Sequence, residues 1–213
     1  MKDLRAWLKA SPLIAILRGV TPTEVEALTD AIVDAGIVVI EIPLNSPRPF
    51  ESIERLAQRY GERVLVGAGT VLDPGDVARV AEAGGKVIVM PHAAAAVVKE
   101  AKARGLIAVP GCATPTEAFC MLAAGADALK LFPAEAFTPA VLRALLAVLP
   151  AHSDVLPVGG IVPEAVEAWL AAGAAGFGIG SALFRPGIGA VEVSRRAQRF
   201  VSAVRQARTA SSR

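Results

Sequence analysis

The sequence predicts an α/β fold, a (β/α)8 TIM barrel that forms a single domain with an extra N-terminal helix. First, short apolar segments alternate with helix-like segments eight times along the 213 residues. Second, glycine follows most of the helical segments, at positions 36, 61, 84, 105, 125 and 173. Third, strands rich in Val, Ile and Leu on both faces indicate a parallel sheet covered by helices on both sides. Eight such units favour a closed barrel over a doubly wound sheet, which usually has about five or six strands.

The N-terminal half supplies four of these units. A short amphipathic helix at about residues 2–9 precedes an apolar strand at residues 13–17. The segment that starts at Thr21 then combines an N-cap, a proline at N1 and a glutamate at N3, which predicts a helix ending near residue 35. The next strand and helix pairs are predicted at residues 38–42 and 48–60, at 64–67 and 73–83, and at 86–90 with a helix that ends at residue 105.

The C-terminal half supplies the other four units. Its pairs are predicted at residues 107–109 with a helix that ends at residue 125, at 128–132 and 138–149, at 155–158 and 163–172, and at 177–179 and 193–206. Pro150 replaces glycine as the residue that ends one helix. No linker divides the chain, so we expect one barrel domain at residues 1–206 and a disordered tail at residues 207–213.

Composition narrows the classes of function. Hydrophobic residues make up 54% of the chain, which is ample for a large core. The net charge of +2 and the dispersed arginines argue against nucleic acid binding. No uninterrupted apolar run reaches membrane length, because Glu, Arg, Gly and Pro break every candidate. The N-terminal segment lacks the apolar region of a signal peptide, and two cysteines without a metal-ligand spacing suit a reducing compartment. We therefore expect a cytoplasmic protein with no nucleic acid or membrane partner.

Lys130 is the residue whose placement most needs an explanation. It lies in the middle of an apolar predicted strand, whereas the other five lysines occupy helix faces or the start of a strand. A lysine buried there must be paired, reach solvent, or have a lowered pKa that makes its amine nucleophilic. The sequence therefore makes Lys130 a candidate catalytic residue, with a structural ion pair as the alternative.

Glu41 is the candidate partner of Lys130. Strand alternation places Lys130 on one face with Ala128 and Phe132, and places Glu41 on one face with Val39. In a parallel barrel both side chains would then enter the mouth formed by the carboxyl ends of the strands. An amine and a carboxylate in one dry pocket are suited to imine chemistry on a ketone. A buried ion pair that joins two strands explains the same pattern, so position alone leaves both interpretations open.

Glycine-rich turns follow the last two predicted strands. Val158 precedes the pair Gly159 and Gly160 after the seventh strand, and Gly180 and Ser181 follow the eighth. Exposed backbone N–H groups in these two loops commonly bind phosphate in such barrels. Tight turns without a ligand are the alternative.

Other residues at the predicted mouth are less informative. Arg18 could hold an anion, and Thr70 with the amides of the Gly-Ala-Gly segment before it could bind a carboxylate, although a strand-end arginine and a close-packed turn are alternatives. Neither His92 nor His152 has a ligand partner at metal spacing, and Cys112 is interpreted as a packing residue. We expect no metal and no cofactor.

Several motifs together resemble a known family, the class I 2-keto-3-deoxy-6-phosphogluconate and phosphogalactonate aldolases. The resemblance covers nearly the whole chain. It is carried by residues 14–19 (IAILRG), 41–47 (EIPLNSP), 67–72 (GAGTVL), 110–114 (PGCAT), 129–134 (LKLFPA) and 158–161 (VGGI).

The resemblance implies reversible cleavage of a phosphorylated keto acid into pyruvate and glyceraldehyde 3-phosphate by a homotrimer. In that family the lysine of the sixth strand forms a Schiff base and the glutamate of the second strand is the acid and base, which correspond to Lys130 and Glu41. The resemblance also implies Thr70 near the pyruvyl carboxylate and Phe132 against the imine. Its implied phosphate ligands are Gly159, Gly160, Gly180 and Ser181.

Two departures distinguish the branches of the family. The gluconate enzymes typically carry an arginine four residues after the glutamate and a threonine before the paired glycines, where this chain has Asn45 and Val158. The EIPLNSP and PGCAT segments resemble the phosphogalactonate branch. Because one hydroxyl changes discrimination by only about 1–3 kcal/mol, we also expect overlap with the gluconate substrate.

Two other functions remain as alternatives. One is a metal-independent sugar-phosphate isomerase or epimerase in which Glu41 is a simple base. The other is a barrel that binds a phosphosugar without catalysis. Both would use the same glycine loops, but neither needs an imine on Lys130.

Overall fold

The structure, a computed structural model, describes residues 3–210 of the chain. Strands and helices alternate along these residues, except that two strands follow each other at residues 107–109 and 111–112. The strands are β1 (Leu13–Ile16), β2 (Val39–Pro43), β3 (Leu65–Gly69), β4 (Val87–Val89), β5 (Ile107–Val109), β6 (Gly111–Cys112), β7 (Leu129–Leu131), β8 (Val155–Pro157) and β9 (Phe177–Ile179). The α-helices are α1 (Leu4–Ala10), α2 (Val25–Asp34), α3 (Pro49–Tyr60), α4 (Pro74–Glu82), α5 (Ala95–Ala103), α6 (Pro115–Ala123), α7 (Pro139–Leu146), α8 (Val166–Ala171) and α9 (Ala190–Ala210).

The predicted (β/α)8 TIM barrel is wrong. The strands form a six-stranded sheet in the order β5-β4-β3-β2-β1-β9 and a separate three-stranded sheet in the order β6-β7-β8. All of the paired strands are parallel. An isolated bridge between Val158 and Gly178, rather than a ladder, connects β8 to β9. The architecture is therefore a curled α/β barrel built from a half-barrel sheet and a smaller sheet, not one closed ring of eight strands.

The break between the two sheets has a local cause at Pro110. This single residue separates β5, which pairs with β4, from β6, which pairs with β7. Proline has no N–H to donate to a ladder, and here its carbonyl accepts the backbone N–H of Lys130 at 2.8 Å. Gly111 then packs closely on the backbone of Pro91, where an added Cβ would lie 2.5 Å from the carbonyl carbon. Hydrophobic periodicity does not reveal such an interruption, because it reports burial rather than hydrogen-bond continuity.

Side chains from alternate strand positions divide between two core layers. Ile40, Ile42, Leu129 and Leu131 belong to the outer layer with the helices, as the alternation predicted. The inner layer joins residues of both sheets to the side chains that α1 contributes. These inner residues are Leu4, Trp7, Leu8, Ile14, Val39, Leu65, Val87, Val89, Ile107, Val109, Ala128 and Leu156. The two sheets therefore share one interior.

Several helix ends differ from their predicted positions. Glu24 accepts the backbone N–H of Thr21 at 2.9 Å, but α2 begins only at Val25. Helix α9 continues to Ala210, so residues 207–210 of the predicted disordered tail are helical, and residues 211–213 lie outside the described residues.

The single domain at residues 1–206 stays a prediction. Among residues 3–210, none of the helices combines the length and the apolar character required to cross a membrane.

Candidate active site

Lys130 and Glu41 are the two buried ionisable side chains at the centre of the candidate site. Lys130 lies in β7 and is 4% exposed, and Glu41 lies in β2 and is 1% exposed. They belong to different sheets, so the curl of the two sheets brings them together. Both point inward, because their neighbours Val39 and Ala128 at alternate positions lie in the inner layer. The predicted direction of these side chains is thus confirmed.

The environment of Glu41 favours its neutral form. Burial raises the pKa of Glu41 to about 7, while the charges of Lys130 and Arg18 act in the opposite direction. Within the described part of the chain, the Oε2 atom of Glu41 is buried without a hydrogen-bond partner. A carboxyl group that titrates near neutrality and has an unused oxygen can both donate and accept a proton.

The environment of Lys130 favours its neutral amine. Burial lowers the pKa of Lys130 and Arg18 lowers it further, whereas the charge of Glu41 raises it. The amine lies 4.7 Å from the centroid of the Phe132 ring, which covers one side of it. An amine with a lowered pKa in a dry pocket is a candidate nucleophile toward a carbonyl group.

The carboxyl end of β3 fits closely against Glu41. An added Cβ at Gly69 would overlap the Glu41 carboxyl group, so only glycine leaves that group its present position. The next residue, Thr70, has a φ of 54°, which is unusual for a β-branched residue. Its neighbours hold the backbone in place, because Gly69 accepts from the N–H of Leu44 at 2.8 Å and Val71 donates to Val89 at 3.2 Å. Strained backbone that is held in this way is common at ligand sites.

Arg18 links three loops at the mouth. Its Nη1 donates to Oδ1 of Asn45 at 2.6 Å, and its Nη2 lies 3.3 Å from the hydroxyl of Thr70. The next residue, Gly19, donates its backbone N–H to the hydroxyl of Ser46 at 2.9 Å. These contacts fix the guanidinium beside Thr70 and within electrostatic reach of both Lys130 and Glu41.

A cavity of about 400 Å³ extends from Lys130 to the two glycine loops. Its lining includes most of the predicted site residues, namely Arg18, Lys130, Phe132, Val158, Gly159, Gly160, Gly180 and Ser181. Glu41 and Thr70 are not among the lining residues, but each contacts or interacts with a residue that is. The structure thus brings the predicted set to one place, with Glu41 and Thr70 next to residues that line the cavity.

The two glycine loops have the open backbone that the sequence indicated. Gly159 and Gly160 have positive φ angles of 108° and 61°, which a residue with a side chain rarely adopts. After β9, the carbonyl of Gly180 accepts the N–H groups of Leu183 and Phe184 at 2.8 and 2.9 Å and closes a tight turn around Ser181. Such loops can present backbone N–H groups to an anion.

The contacts that Gly69, Asn45 and Glu135 make in this site, and the place of Arg185 in the cavity lining, were not predicted from the sequence. Gly69 was considered only as part of a turn or carboxylate site, Asn45 only as a branch marker, and Glu135 not at all. The side chain of Glu135 packs so closely on Gly159 and Gly160 that an added Cβ at either glycine would meet it. The sequence shows that Glu135 follows Lys130 by five residues, but its contact with the two glycines depends on the turn that follows β7.

Cys112 is buried. Burial and the charge of Glu117 raise the pKa of its thiol to about 12, which agrees with a packing role.

Comparisons with known proteins add an independent line of evidence. The family model described as "Aldolase: KDPG and KHG aldolase" matches residues 4–198. The 2-dehydro-3-deoxy-6-phosphogalactonate aldolase of Escherichia coli strain K12 is 47% identical over 201 residues, which cover 94% of this chain and 98% of that protein.

Solved structures give the same likeness. The structure titled "Native KDPGal structure" has a TM-score of 0.92 and 47% identity, and the match covers 93% of this chain and 96% of that one. A cube-shaped, porous protein cage designed by fusing symmetric oligomeric domains has a TM-score of 0.93 and 47% identity, over 94% of this chain and 74% of that one.

Proposed function

The chain belongs to the KDPG and KHG aldolase family, and from that premise we propose that it is a class I aldolase acting on 2-dehydro-3-deoxy-6-phosphogalactonate. The products are pyruvate and glyceraldehyde 3-phosphate, and the reaction is reversible. The observation that carries the proposal is the pair of buried groups, Lys130 and Glu41, whose pKa values are both shifted toward the neutral forms. A single buried ion pair held for stability would favour the charged forms instead.

The first half of the reaction forms an imine. The neutral amine of Lys130 attacks the C2 carbonyl carbon, and the oxygen takes a proton to give a carbinolamine. Protonated Glu41 then donates a proton to the departing hydroxyl, which leaves as water when the C=N bond forms. With a pKa of about 7, Glu41 is available in both protonation states near neutral pH.

The second half breaks the bond between C3 and C4. A base removes the proton of the C4 hydroxyl, the aldehyde C=O forms, and the electron pair of the broken bond moves into the protonated imine to give an enamine. Glyceraldehyde 3-phosphate leaves, C3 of the enamine takes a proton, and water hydrolyses the imine to release pyruvate and the free amine of Lys130. The water consumed here balances the water released before, and the protein's own amine provides the electron sink.

The remaining site residues hold the two ends of the substrate in this proposal. Thr70 and Arg18, which lie 3.3 Å apart, bind the carboxylate next to the ketone. Phe132 packs against the imine. The loops at the far end of the cavity bind the phosphate through Gly159, Gly160, Gly180 and Ser181.

Trapping with borohydride tests the imine. Incubation with pyruvate and sodium borohydride is expected to add one reduced pyruvyl group to Lys130, as measured by mass spectrometry of proteolytic peptides. Lys130→Arg should lose both the adduct and nearly all cleavage, whereas Lys99→Arg, on the surface of α5, should keep both. A wild-type protein that cleaves substrate without labelling of Lys130 would exclude an imine on this residue, and a Lys130→Arg variant with substantial turnover would favour a site of the isomerase or epimerase type, in which Lys130 is only an electrostatic helper.

A coupled assay of pyruvate release tests the choice of epimer. We expect a higher kcat/KM for the galactonate substrate than for its C4 epimer 2-dehydro-3-deoxy-6-phosphogluconate. The difference is expected to be about 10- to 100-fold, because the contrast between the substrates is one hydroxyl. Reversed values would assign the chain to gluconate substrates, equal values would show that it does not distinguish the epimers, and tight binding without pyruvate release would indicate a binding protein.

We also propose that the protein is a homotrimer. Several large apolar side chains are exposed on the surface, among them Leu72 at 57%, Val148 at 58% and Phe119 at 44%. Exposed apolar groups are common at subunit interfaces. Light scattering coupled to size-exclusion chromatography should give three times the mass of 21.9 kDa, and a monomer mass would contradict the proposal.

A cytoplasmic location stays a prediction. Its support is that Cys112 and Cys120 are both free thiols, which suits a reducing compartment. Cell fractionation with an antibody against the natural protein would test it.

A further inference from the structure

The phosphate end of the cavity poses an electrostatic question. A phosphate monoester carries about −1.5 to −2 charges near neutral pH, and backbone N–H groups supply only partial positive charge. The cationic side chains that line the cavity are Arg18, Lys130 and Arg185. A cation among them can add countercharge to these N–H groups when the substrate binds as a dianion.

Two of these three side chains have other roles in the proposed reaction. Lys130 has to be neutral in order to attack a carbonyl group, and its lowered pKa agrees with that requirement. Arg18 is directed toward Asn45 and Thr70, at the end of the site proposed for the carboxylate. Arg185 is the remaining cation.

Arg185 is attached to the same loop that contains Ser181. Its Nε donates to the carbonyl of Ser181 at 3.1 Å, which places the guanidinium beside the tight turn after β9. The backbone on both sides is anchored, because Phe184 is buried and Pro186 packs against Gly19 so closely that an added Cβ there would lie 2.8 Å from Pro186. The structure shows no ion pair of Arg185 with a carboxylate among residues 3–210. Its terminal nitrogens can therefore serve a ligand.

Glu135 makes a cation at this position more necessary. It is the acidic residue among those that line the cavity, and its side chain packs on Gly159 and Gly160. A phosphate bound at those glycines would thus lie near a carboxylate and would be repelled by it. A guanidinium on the opposite loop offsets this repulsion and can donate charge-assisted hydrogen bonds to phosphate oxygens.

We propose that Arg185 is a phosphate-binding residue, and that its guanidinium provides the principal countercharge for the phosphate dianion of the substrate. The proposal rests on the function proposed above and adds a residue to it. Arg185 takes no part in the covalent steps in this proposal, because it lies beside Ser181 in the loop after β9, whereas Lys130 lies in β7.

Kinetics of Arg185→Gln with the phosphorylated substrate test the role. We expect KM to rise by about 10- to 100-fold with kcat within about threefold of wild type, which corresponds to the loss of a charge-assisted interaction made before and during the reaction. The inhibition constant of inorganic phosphate should rise by a similar factor. Arg185→Lys should recover part of the loss because it keeps the charge.

The dependence of KM on salt concentration distinguishes an electrostatic role of Arg185 from a purely structural contact with Ser181. In the wild type and in Arg185→Lys, KM should rise with added NaCl, and this dependence should be weaker in Arg185→Gln. Arg143→Gln, an exposed arginine on α7, is the matched control and should behave as wild type. The proposal is overturned if Arg185→Gln leaves KM and phosphate inhibition unchanged, or if the salt dependence is the same in all variants.

A failure of the function itself would look different. Wild-type protein would then not form the pyruvyl adduct on Lys130, while calorimetric binding of inorganic phosphate could still be compared between wild type and Arg185→Gln. Conversely, normal adduct formation in Arg185→Gln with an unchanged KM would leave the aldolase reaction in place and remove Arg185 from it.

Discussion

Burial has opposite effects on the two central ionisable residues. It raises the pKa of the carboxyl group of Glu41 and lowers the pKa of the amine of Lys130, because removal from water disfavours the charged form of each. Their mutual attraction opposes both shifts but does not cancel them. These shifted pKa values lower the stability of the folded state near neutral pH. They also make the proton of Glu41 available for transfer in that pH range.

Replacement of Glu41 by Gln should therefore reduce activity while it increases stability. Glu41 has its ordinary pKa of 4.5 when unfolded and about 7 when folded, so the folded state binds the proton more tightly and wild-type stability falls as pH rises from 4.5 to 7. Glu41→Gln has no such dependence on pH. At pH 7 its free energy of unfolding should therefore exceed that of wild type by as much as about 3 kcal/mol, minus the attraction to Lys130 that the substitution removes. Urea unfolding at several pH values measures the difference.

The kcat of Glu41→Gln should fall by about 10²- to 10⁴-fold. Glu82→Gln, on the exposed side of α4, is the control and should follow the wild-type dependence of stability on pH. A Glu41→Gln variant that is less stable than wild type at pH 7 would indicate that Glu41 is held as an ion-pair partner, and a fully active one would remove it from the mechanism.

Gly69 controls the position of that carboxyl group. Gly69→Ala should move it, because the new Cβ would overlap the Glu41 carboxyl group, while the backbone at this strand position does not require a positive φ. We expect a loss of kcat of about 10-fold or more, since a displacement of about 1 Å can cost that much, with the fold retained by circular dichroism. Gly189→Ala is the control, because an added Cβ there meets nothing within 4 Å. Full activity in Gly69→Ala would show that Glu41 tolerates the displacement.

At the scale of elements, the loop between β6 and α6 is fixed by the start of the helix. Helix α6 begins with a capping box, in which Thr114 accepts the N–H of Glu117 at 3.3 Å and Glu117 accepts the N–H of Thr114 at 2.9 Å. Glu117 also accepts the N–H of Ala113 at 2.8 Å, and these bonds lower the pKa of its carboxyl group. The loop between β6 and α6 therefore has little freedom.

Loss of this cap should destabilise the protein without changing its chemistry. Thr114→Ala removes the acceptor for the Glu117 N–H, and the free energy of unfolding should fall by about 1 kcal/mol. Thr114→Ser keeps the hydroxyl and should stay within about 0.5 kcal/mol of wild type. Chemical denaturation of the three proteins checks this. Equal stability of Thr114→Ala and Thr114→Ser would mean that the capping bonds contribute nothing to the fold.

The order and type of the elements could be predicted from the sequence, but the pairing of the strands could not. Glycine and proline positions and apolar periodicity located eight of the strands and the helices to within a few residues, because these signals are local, but they did not reveal the short strand β6. Pro110, by contrast, lies where the pairing changes from one sheet to the other. Its carbonyl accepts the N–H of Lys130, a residue distant in the sequence, so this effect could not be predicted from local signals.

At the scale of the whole molecule, α1 joins the two sheets from inside. Leu4, Trp7 and Leu8 are buried in the inner layer, which contains residues from the beginnings of strands in both sheets. Since no continuous ladder connects the sheets on the side of β8 and β9, this apolar contact contributes to their association. The helix predicted from the first residues thus has a structural role in the barrel.

Truncation of Leu8 tests this role. Leu8 is 4% exposed, and Leu8→Ala should lower the free energy of unfolding by about 2–5 kcal/mol through lost burial and the cavity that remains. Val191→Ala, at a side chain that is 87% exposed, is the control and should change it by less than about 0.5 kcal/mol. Urea denaturation measures both variants. A small effect of Leu8→Ala would mean that the sheets associate without α1.

Local signals in the sequence were enough to predict eight of the strands, the helices, the direction of the alternate side chains and the candidate site residues. Local rules suffice for these, since side-chain direction repeats every two residues in a strand and an amine such as that of Lys130 is conspicuous in an apolar run. Three features are visible only in the folded chain: the strands divide into two sheets, Gly69 makes room for Glu41, and Glu135 and Arg185 line the cavity together with the two glycine loops. These features depend on how the sheets curl, which brings together residues distant in the chain, and no local pattern records that distance.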